Sequence, residues 1–272
     1  MTKVWAVTMM KDEVDVAYQS IRHMLEQDVD GVLVADNLST DGTRSDLEFI
    51  ARKFPGRVHV VEDRDPGYYQ SKKMTRLAGV AHQQFGADWI IPFDADELWV
   101  GTAIPLAKML RMLVSTNTRV VGLPSYTHVP CGFDAEGETP FHRMTYRRAS
   151  AGSYPKVAYR YASDLVIHQG NDGIMKSTGE FLAVEILPRD CAIHHYPVRS
   201  LEQFVRKMRQ GAAALTAAPD LPPTWGQHWR AYGRIFRDCG RPAIESIYWA
   251  HFFCPEPHMQ GLVYDPIPMP AP

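Results

Sequence analysis

The chain has 272 residues, of which 45% are hydrophobic and 22% are charged, and this balance excludes a disordered protein. Its 29 basic and 31 acidic residues give a formal net charge of −2, so no strong positive field favours nucleic acid as a partner. No stretch reaches the roughly 20 consecutive apolar residues that cross a bilayer, and we expect a cytoplasmic globular protein without an integral membrane segment.

Strands and helices alternate along the first hundred residues. Apolar runs predict strands at Lys3–Thr8, Gly31–Ala35, Arg57–Glu62 and Asp88–Phe93. Helical spacing and capping residues predict helices at Asp12–Glu26, Arg44–Lys53 and Tyr69–Phe85. This order predicts an α/β fold with a parallel sheet, right-handed crossovers and helices on both faces.

The pattern changes after a predicted helix at Pro105–Ser115. From Arg119 to Tyr196, short β-like runs alternate with turns that are rich in glycine, proline and aspartate. These runs are Arg119–Ser125, Met144–Arg148, Lys156–Arg160 and Phe181–Leu187.

Helices follow in the last part of the chain. Ser200 is the predicted N-cap of a helix that extends to about Ala214, because Gln203 occupies the capping-box position. A proline-rich break at Ala218–Pro223 separates it from an aromatic-rich helical stretch. From Cys254 onward the many prolines predict an irregular tail.

Acidic residues follow two of the predicted strands. Asp36 ends the second strand, and Asp94-Ala95-Asp96-Glu97 follows the fourth. Ligands of open α/β sheets bind at the carboxyl ends of the strands. Three carboxylates within four residues repel one another unless a cation or donor groups compensate them. A solvated acidic turn is the alternative interpretation, but the position after apolar strands favours a metal and nucleotide site, since Mg²⁺ prefers oxygen ligands.

Three segments, in this order and at this spacing, resemble a family-2-type glycosyltransferase with the GT-A fold. They are Met10–Glu13, Asp36–Thr43 and Gly86–Glu97. A later segment resembles a C-terminal element of a bacterial subgroup of that family, namely His194–Ser200 with Gln203, Phe204 and Lys207. The resemblance covers roughly residues 1–100 well.

The resemblance implies an α/β nucleotide-diphospho-sugar transferase fold, with a mostly parallel central sheet flanked by helices. It divides the chain into a GT-A catalytic domain at residues 1–199 and a C-terminal helical extension with a proline-rich tail at 200–272. Within the catalytic domain, residues 1–100 would be the nucleotide-binding half and residues 101–199 the acceptor half.

The resemblance also implies a nucleotide-sugar donor and a divalent cation, Mn²⁺ or Mg²⁺. Asp36 would form a hydrogen bond with the nucleoside base, and Thr8 would line the same slot. Asp94, with Ala95 beside it, would approach the ribose or the metal. Asp96 would be a metal ligand, and the metal would neutralise the charge on the departing diphosphate.

Further cations and a histidine are candidates for the same site. Adjacent residues on a strand point to opposite faces, so His195 can complete the metal shell while His194 packs. Arg199 and Lys207 would close over the diphosphate, and Arg76 would lie near the donor phosphates. For these three cations a solvated surface position is the alternative.

The catalytic base is sought in the acceptor half. Ile167–Gly173 is a polar loop flanked by glycine, and loops of that kind often carry function. Asp172 is the first choice and Glu180 the second. The family's usual Glu-Asp pair is not recognisable, which leaves the base and the inverting stereochemistry open. A glycine-containing acidic loop is interpreted as solvent-facing or as part of a lid: Asp134, Glu136 and Glu138.

Aromatic residues at helical spacing lie near the C-terminus: Trp225, Trp229, Tyr232 and Phe236. A core-facing stripe is the first interpretation. A wall that stacks against a sugar or aglycone, or a homodimer face, is the alternative. The widely spaced cysteines contain no CxxC pair and are interpreted as buried small hydrophobes.

The function expected from these features is metal-dependent transfer of a sugar, with inversion, from a nucleoside-diphosphate sugar to an acceptor hydroxyl or amine. A UDP-sugar is the favoured donor, and a small molecule or glycan is the acceptor. One alternative is a metal-dependent phosphohydrolase or nucleotidyltransferase, against which no glycine-rich phosphate loop follows the first strand. Another is an inactive GT-A fold that serves as a carbohydrate-binding scaffold.

Overall fold

The computed structural model describes residues 1–101, 104–132, 139–187, 191–258 and 260–268. Its strands are β1 (Val4–Met10), β2 (Gly31–Asp36), β3 (Val58–Glu62), β4 (Trp89–Pro92), β5 (Glu97–Val100), β6 (Val120–Leu123), β7 (Ser125–Thr127), β8 (Tyr146–Arg147), β9 (Lys156–Arg160), β10 (Leu165–Ile167), β11 (Ile174–Lys176), β12 (Glu185–Ile186), β13 (Ala192–His195) and β14 (Val263–Tyr264). Its helices are α1 (Ala17–Glu26), α2 (Thr43–Lys53), α3 (Gln70–Phe85), α4 (Leu106–Met112), α5 (Pro140–Arg143), α6 (Leu201–Thr216) and α7 (Gln227–His251).

Seven strands form the main sheet, in the order β12-β6-β9-β4-β1-β2-β3. The neighbouring pairs β1–β2, β1–β4, β2–β3 and β12–β6 are parallel. Among the described strands of this sheet, β9 alone runs antiparallel to both of its neighbours, β4 and β6. The predicted α/β fold with a mainly parallel sheet flanked by helices is therefore confirmed.

The two faces of this sheet carry separate hydrophobic clusters. On β1, Val4 and Ala6 pack on the face that α1, α2 and α4 cover, whereas Trp5 and Val7 pack on the face that α3 covers. Every residue of β2 is buried, as expected for a parallel strand with both faces covered. A continuous apolar run, rather than an alternating one, is the sequence signature of such a strand.

Several element bounds differ from the predictions. The helix expected from Asp12 begins only at Ala17, because the preceding residues form a turn in which Asp12 has a φ of 53° and Glu13 O accepts from Val16 N. Of the predicted strand Phe181–Leu187, only β12 is a regular strand. The tail expected to be irregular contains β14, which pairs with β8. These short pairings depend on distant partners that no local pattern specifies.

A smaller sheet, β5-β13-β7, lies beside the main one. Its strand β13, together with α6 and α7, borders a cavity. Ser200 Oγ accepts from Gln203 N at 3.2 Å, as predicted for the start of α6. Gly240, with a φ of 75°, interrupts α7 shortly before Pro242. A third hydrophobic cluster joins α6 and α7. In the described part of the chain, no helix combines the length and apolarity needed to cross a membrane.

Candidate functional site

A cavity of about 520 Å³, the central cavity, lies where the main sheet meets the C-terminal helices. Its floor contains Asp94, Ala95 and Asp96, which follow β4. Residues at the carboxyl ends of β1 and β2 form one wall, and α6 and the start of α7 form the roof, including Lys207 and Trp229. The cavity therefore occupies the edge of the sheet at which α/β proteins bind ligands.

The acidic segment is a turn between two strands. Phe93 N donates to Val7 O at 3.0 Å at the end of β4, and Glu97 N donates to Asp94 O at 3.1 Å at the start of β5. β5, which the sequence analysis did not predict, then runs back antiparallel to β13, the strand that carries His194 and His195. The turn fixes Asp94 and Asp96 at the cavity floor and leaves Glu97 fully buried behind them.

Asp94 is bound by three donors from the sheet side of the cavity. Its Oδ2 lies 2.7 Å from Lys156 Nζ, and its Oδ1 accepts from Gln70 Nε2 and from Asn171 Nδ2, each at 3.0 Å. Lys156 Nζ also lies 2.9 Å from Glu97 Oε1. Burial opposes the charge of Lys156, but Asp94 and Glu97 outweigh it and raise the pKa of the ammonium. Burial raises the pKa of Glu97.

Asp96 is bound by Lys207 from the roof and has two further basic side chains beside it. Its Oδ2 lies 2.6 Å from Lys207 Nζ and 3.6 Å from an Arg199 guanidinium nitrogen, and its Oδ1 lies 3.5 Å from His195 Nε2. Burial acts to raise the pKa of Asp96, but these three neighbours hold it well below its usual range. Asp96 is therefore a carboxylate at neutral pH, facing the cavity.

Arg199 lies behind the cavity wall and is fully buried. Its Nε donates to Asp15 Oδ2 at 2.7 Å, and a terminal nitrogen donates to Glu13 Oε2. Burial raises the pKa of Glu13, although Arg199 and Lys207 oppose this effect. Arg199 thus ties the loop after β1 to Asp96. It is absent from the cavity lining, where direct contact with a diphosphate was expected.

The adjacent histidines of β13 point in opposite directions, as expected for neighbours on a strand. His195 lines the cavity. His194 packs on the other face, where its Nδ1 lies 2.9 Å from His128 Nε2 and the partner ring's Nδ1 lies 2.7 Å from Met144 O. Burial lowers the pKa of His128 to about 3 and that of His194 to about 4, so both rings are neutral.

The crowded carboxylates are neutralised by side-chain cations. No group of three or more histidine, cysteine, aspartate or glutamate side chains converges on a metal position in the ranges the structure describes. Asp96 Oδ1 and His195 Nε2 form the pair of donors that suits a divalent ion. Two protein ligands fit Mn²⁺ or Mg²⁺ when substrate phosphates supply other ligands, so the donor set fits a metal that arrives with a diphosphate.

Asp36 and Thr8 lie at the ends of β2 and β1, beside the cavity rather than in its lining. Both are buried, and Asp36 Oδ1 and Thr8 Oγ1 have no hydrogen-bond partner among the described residues. Arg44 lies 3.9 Å from the other Asp36 oxygen. Buried polar atoms rarely remain unpaired, so these two oxygens have unused hydrogen-bonding capacity.

Other predicted site residues lie away from the cavity lining. Arg76 is exposed on α3. Asp172 Oδ1 lies 2.7 Å from His168 Nδ1, and Glu180 forms an exposed ion pair with Lys176. The base role of Asp172 and Glu180 and the phosphate role of Arg76 thus stay predictions without support from the cavity. The acidic loop residues lie outside the described residues: Asp134, Glu136 and Glu138.

Sequence reasoning missed the donors that bind Asp94. Lys156 opens a strand that was predicted, but nothing in its local sequence identifies its acidic partners. Asn171 lies in the polar loop that was singled out, next to Asp172, and it is the asparagine that reaches the site. Gln70 stands at the start of α3, a position that carries no signal of its own.

No protein-family model matches the chain, and no curated protein matches it. Among solved structures, it is similar to residues 1–349 of TarS from S. aureus, with 14% identity over 87% of this chain and 72% of that chain and a TM-score of 0.43. A second S. aureus TarS structure is covered over 44% of its chain, with a TM-score of 0.45.

Two further similar structures were solved with ligands. The mannosyltransferase PcManGT from Pyrobaculum calidifontis, in complex with GDP-Man and Mn²⁺, is 17% identical over 91% of this chain and 74% of that chain, with a TM-score of 0.42. Glucosyl-3-phosphoglycerate synthase from Mycobacterium tuberculosis, with Mn²⁺, UDP and its product, is 18% identical over 46% and 44% of the two chains, with a TM-score of 0.33. At these low identities and TM-scores, function has to be inferred from this chain's own side chains.

Proposed function

We propose that the chain is a GT-A-type glycosyltransferase that uses a nucleoside-diphosphate sugar, with a UDP-sugar as the first donor to test. The acceptor would be a hydroxyl or amine of a small molecule or glycan. The observation that carries this proposal is the environment of Asp96, a buried carboxylate at the carboxyl end of the sheet, in the floor of a cavity and beside Lys207 and His195.

The nucleoside would bind in the slot beside β1 and β2. The unpaired Asp36 Oδ1 can accept a hydrogen bond from a base N–H group, and Thr8 Oγ1 offers a second polar contact on the neighbouring strand. An unsatisfied buried acceptor is costly, and a base donor would remove that cost. These two atoms support a nucleotide more than a simple phosphate ester as the ligand.

The diphosphate would bind between the roof and the floor. The ammonium of Lys207 is held inside the cavity and can stabilise the negative charge of the leaving diphosphate. Arg199 is a positioning residue, because it holds Asp96 and the loop at Glu13 from behind the wall. The ion pair between Lys207 and Asp96 joins the two parts of the molecule that would enclose the donor.

Asp96 and His195 are the residues that would hold Mn²⁺ or Mg²⁺. When bound, the ion supplies Lewis-acid neutralisation of the diphosphate charge. Asp94 accepts from Lys156, Gln70 and Asn171, which suits a role in shaping the floor.

The apolar side of the cavity would receive the sugar and the acceptor. Tyr68, Trp229 and Tyr232 line it, and Tyr68 and Trp229 meet edge to face at 4.6 Å. Aromatic faces of this kind stack against sugar rings. Trp229 and Tyr232 also pack against the third hydrophobic cluster, so these two α7 residues would serve both the core and the cavity. We assign no residue to the removal of the acceptor's proton. Four further expectations stay predictions from the sequence: inversion at the sugar, a homodimer, the domain division and a cytoplasmic location.

The test is calorimetric titration of UDP into the wild type, with Mn²⁺ and with a chelator, repeated on Asp96→Asn and on the matched control Asp164→Asn, an exposed aspartate outside the cavity. We expect Mn²⁺ to tighten UDP binding about tenfold or more in the wild type and the control. In Asp96→Asn this gain should disappear, because the amide is a poor metal ligand.

Metal-enhanced UDP binding that survives in Asp96→Asn would contradict the site. If UDP does not bind, GDP and dTDP are titrated in the same way. Failure of all three nucleotides would reject the glycosyltransferase proposal and favour the carbohydrate-binding scaffold.

A further inference from the structure

A second concave surface, the arginine groove, runs along the contact between α6 and α7. It has a volume of about 680 Å³, and the described residues that line it include four arginines and a single carboxylate: Arg206, Arg209, Arg237, Arg241 and Glu202. Its volume falls in the range of small-molecule sites, about 300–1,000 Å³. The excess of guanidinium groups over carboxylates in the lining selects for an anionic ligand.

Close packing of the two helices forms the base of the groove. A Cβ atom on Gly233 would lie 2.5 Å from Ala212 Cβ, so the side chain of Ala212 packs directly against the backbone of α7 there. Phe236 follows one turn later on α7, and the guanidinium of Arg209 lies 5.4 Å from the centre of its ring. This cation–π contact orients Arg209 without using its N–H donors.

The arginines differ in how strongly they are already paired. Arg241 is bound by both Glu202 and Glu245. Arg237 has only a 3.4 Å contact with Asp238, in which both side chains are more than half exposed, and such pairs contribute little. Arg209 has no carboxylate within ion-pair distance among the described residues. The groove therefore holds two guanidinium groups that remain free to bind an anion.

The arginine groove adjoins the central cavity. Arg206 and Gln210, both on α6, line the two of them. Gln210 Nε2 donates to Asp12 on the wall of the cavity, and Arg206 donates to Asp12 O at 2.9 Å. A ligand that extends out of the cavity past these residues would enter the groove next.

We propose that the arginine groove binds a phosphate group of a soluble, phosphorylated acceptor. This inference rests on the proposed function, because it assigns the donor to the central cavity and the acceptor to the space beside it. Arginine binds phosphate through two parallel N–H donors, and Arg209 and Arg237 line the same groove, so both would donate to the phosphate oxygens. The acceptor's hydroxyl end would then reach toward Asp12 and the cavity.

The probe is glucose 6-phosphate, titrated by calorimetry beside unphosphorylated glucose. The variants are Arg209→Gln and Arg237→Gln, with Arg234→Gln as the matched control, since Arg234 is exposed on α7 but outside the groove. We expect the phosphate to be required for binding, and each groove substitution to weaken binding about tenfold while the control leaves it unchanged. Arg209→Lys should recover only part of the affinity, because a lysine lacks the two-pronged donor.

Lys207→Gln separates the groove from the central cavity. Loss of glucose 6-phosphate binding in Lys207→Gln, with normal binding in Arg209→Gln, would place the phosphate in the cavity and overturn the proposal. Equal binding of glucose and its phosphate would also overturn it. A third outcome would overturn it as well. If the protein does not bind the sugar phosphate but sediments with phosphatidylglycerol vesicles, and this sedimentation requires Arg209 and Arg237, the ligand of the groove is a membrane surface.

The nucleotide titration distinguishes this failure from failure of the proposed function. UDP binding with Mn²⁺ should be unchanged in Arg209→Gln, since Arg209 does not line the central cavity. If UDP binds and the sugar phosphate does not, only the arginine groove is rejected. If the sugar phosphate binds through Arg209 while no nucleotide binds, the phosphate site stands but its role as an acceptor site is rejected.

Discussion

Asp94 and Asp96 belong to the same turn, but their ammonium partners come from different regions of the molecule. Lys156, which binds Asp94, lies on β9 in the main sheet, whereas Lys207, which binds Asp96, lies on α6 in the roof. The first pair joins β9 to the turn that follows its neighbouring strand β4. The second pair spans the cavity. A ligand that enters the cavity can therefore replace the second pair without disturbing the sheet.

The number of remaining cationic or basic partners also differs between the two pairs. Lys156 also neutralises Glu97, which is 0% exposed and has no second cation within ion-pair distance among the described residues. Asp96 retains Arg199 at 3.6 Å and His195 at 3.5 Å in addition to Lys207. Loss of one ammonium should thus be severe in the sheet and mild at the roof, because an unpaired buried charge is what makes such a loss costly.

The largest effect should follow from Lys156→Met. This substitution leaves Glu97 and Asp94 without their cation, and we expect the free energy of unfolding to fall by about 3–5 kcal/mol. Urea unfolding measures it, and Lys108→Met, an exposed lysine on α4, is the control, with a change within about 0.5 kcal/mol. Adding Glu97→Gln should restore part of the loss, and a Lys156→Met variant as stable as the control would break the comparison.

The buried pair of His128 and His194 should produce a smaller, pH-dependent effect on the free energy of unfolding. Burial holds the pKa values of His128 and His194 at about 3 and about 4, below the ordinary 6.5, so the unfolded chain binds more protons between these values. Stability is then complete above pH 6.5 and is lost as the pH falls toward 4, by about 1.4 kcal/mol per pH unit for each histidine.

Chemical unfolding at pH 7.5, 6, 5 and 4.5 measures this dependence. His194→Asn should flatten the curve by up to one proton, whereas His251→Asn, at an exposed position of α7, should leave the slope as in the wild type. If the slope in His194→Asn is the same as in the wild type, the pH dependence does not come from the buried His194, and the prediction is wrong.

Packing of the roof should be sensitive to a single methyl group. In Gly233→Ala the new Cβ would meet Ala212 Cβ at 2.5 Å, and we expect a loss of about 1–2 kcal/mol as α6 and α7 separate, despite the better helix propensity of alanine. Gly79→Ala on α3 is the matched control, because its nearest neighbour, Tyr161 Oη, lies at 3.6 Å. In thermal unfolding, the melting temperature of Gly79→Ala should be equal to or higher than that of the wild type.

The contrast between the two carboxylates also shows what the sequence could predict. The position of Asp94 and Asp96 at the edge of the sheet followed from an apolar run that ended in acids, and His195 and Lys207 followed from the family resemblance. The partner of Asp94 did not, because β9 inserts between β4 and β6, and sequential strands more often lie side by side. Asp172 was chosen from the right loop, but backbone direction brings Asn171 to the site.

The smallest effect on stability should come from Lys207→Met, which sharpens the comparison most. Because Arg199 and His195 remain beside Asp96, we expect a loss of about 1 kcal/mol or less in urea unfolding. Without the competing ammonium on Oδ2, Asp96 should bind Mn²⁺ alone more tightly, by about tenfold, as followed by the electron paramagnetic resonance signal of free Mn²⁺. UDP binding in the presence of chelator should weaken over the same range, because its diphosphate loses a fixed cation. Lys207→Arg keeps the positive charge. We therefore expect it to bind UDP as the wild type does and not to show the tighter binding of Mn²⁺ alone. A Lys207→Met variant that unfolds as easily as Lys156→Met would mean that the roof pair is as much a part of the fold as the sheet pair, and that Asp96 is not released when a ligand enters.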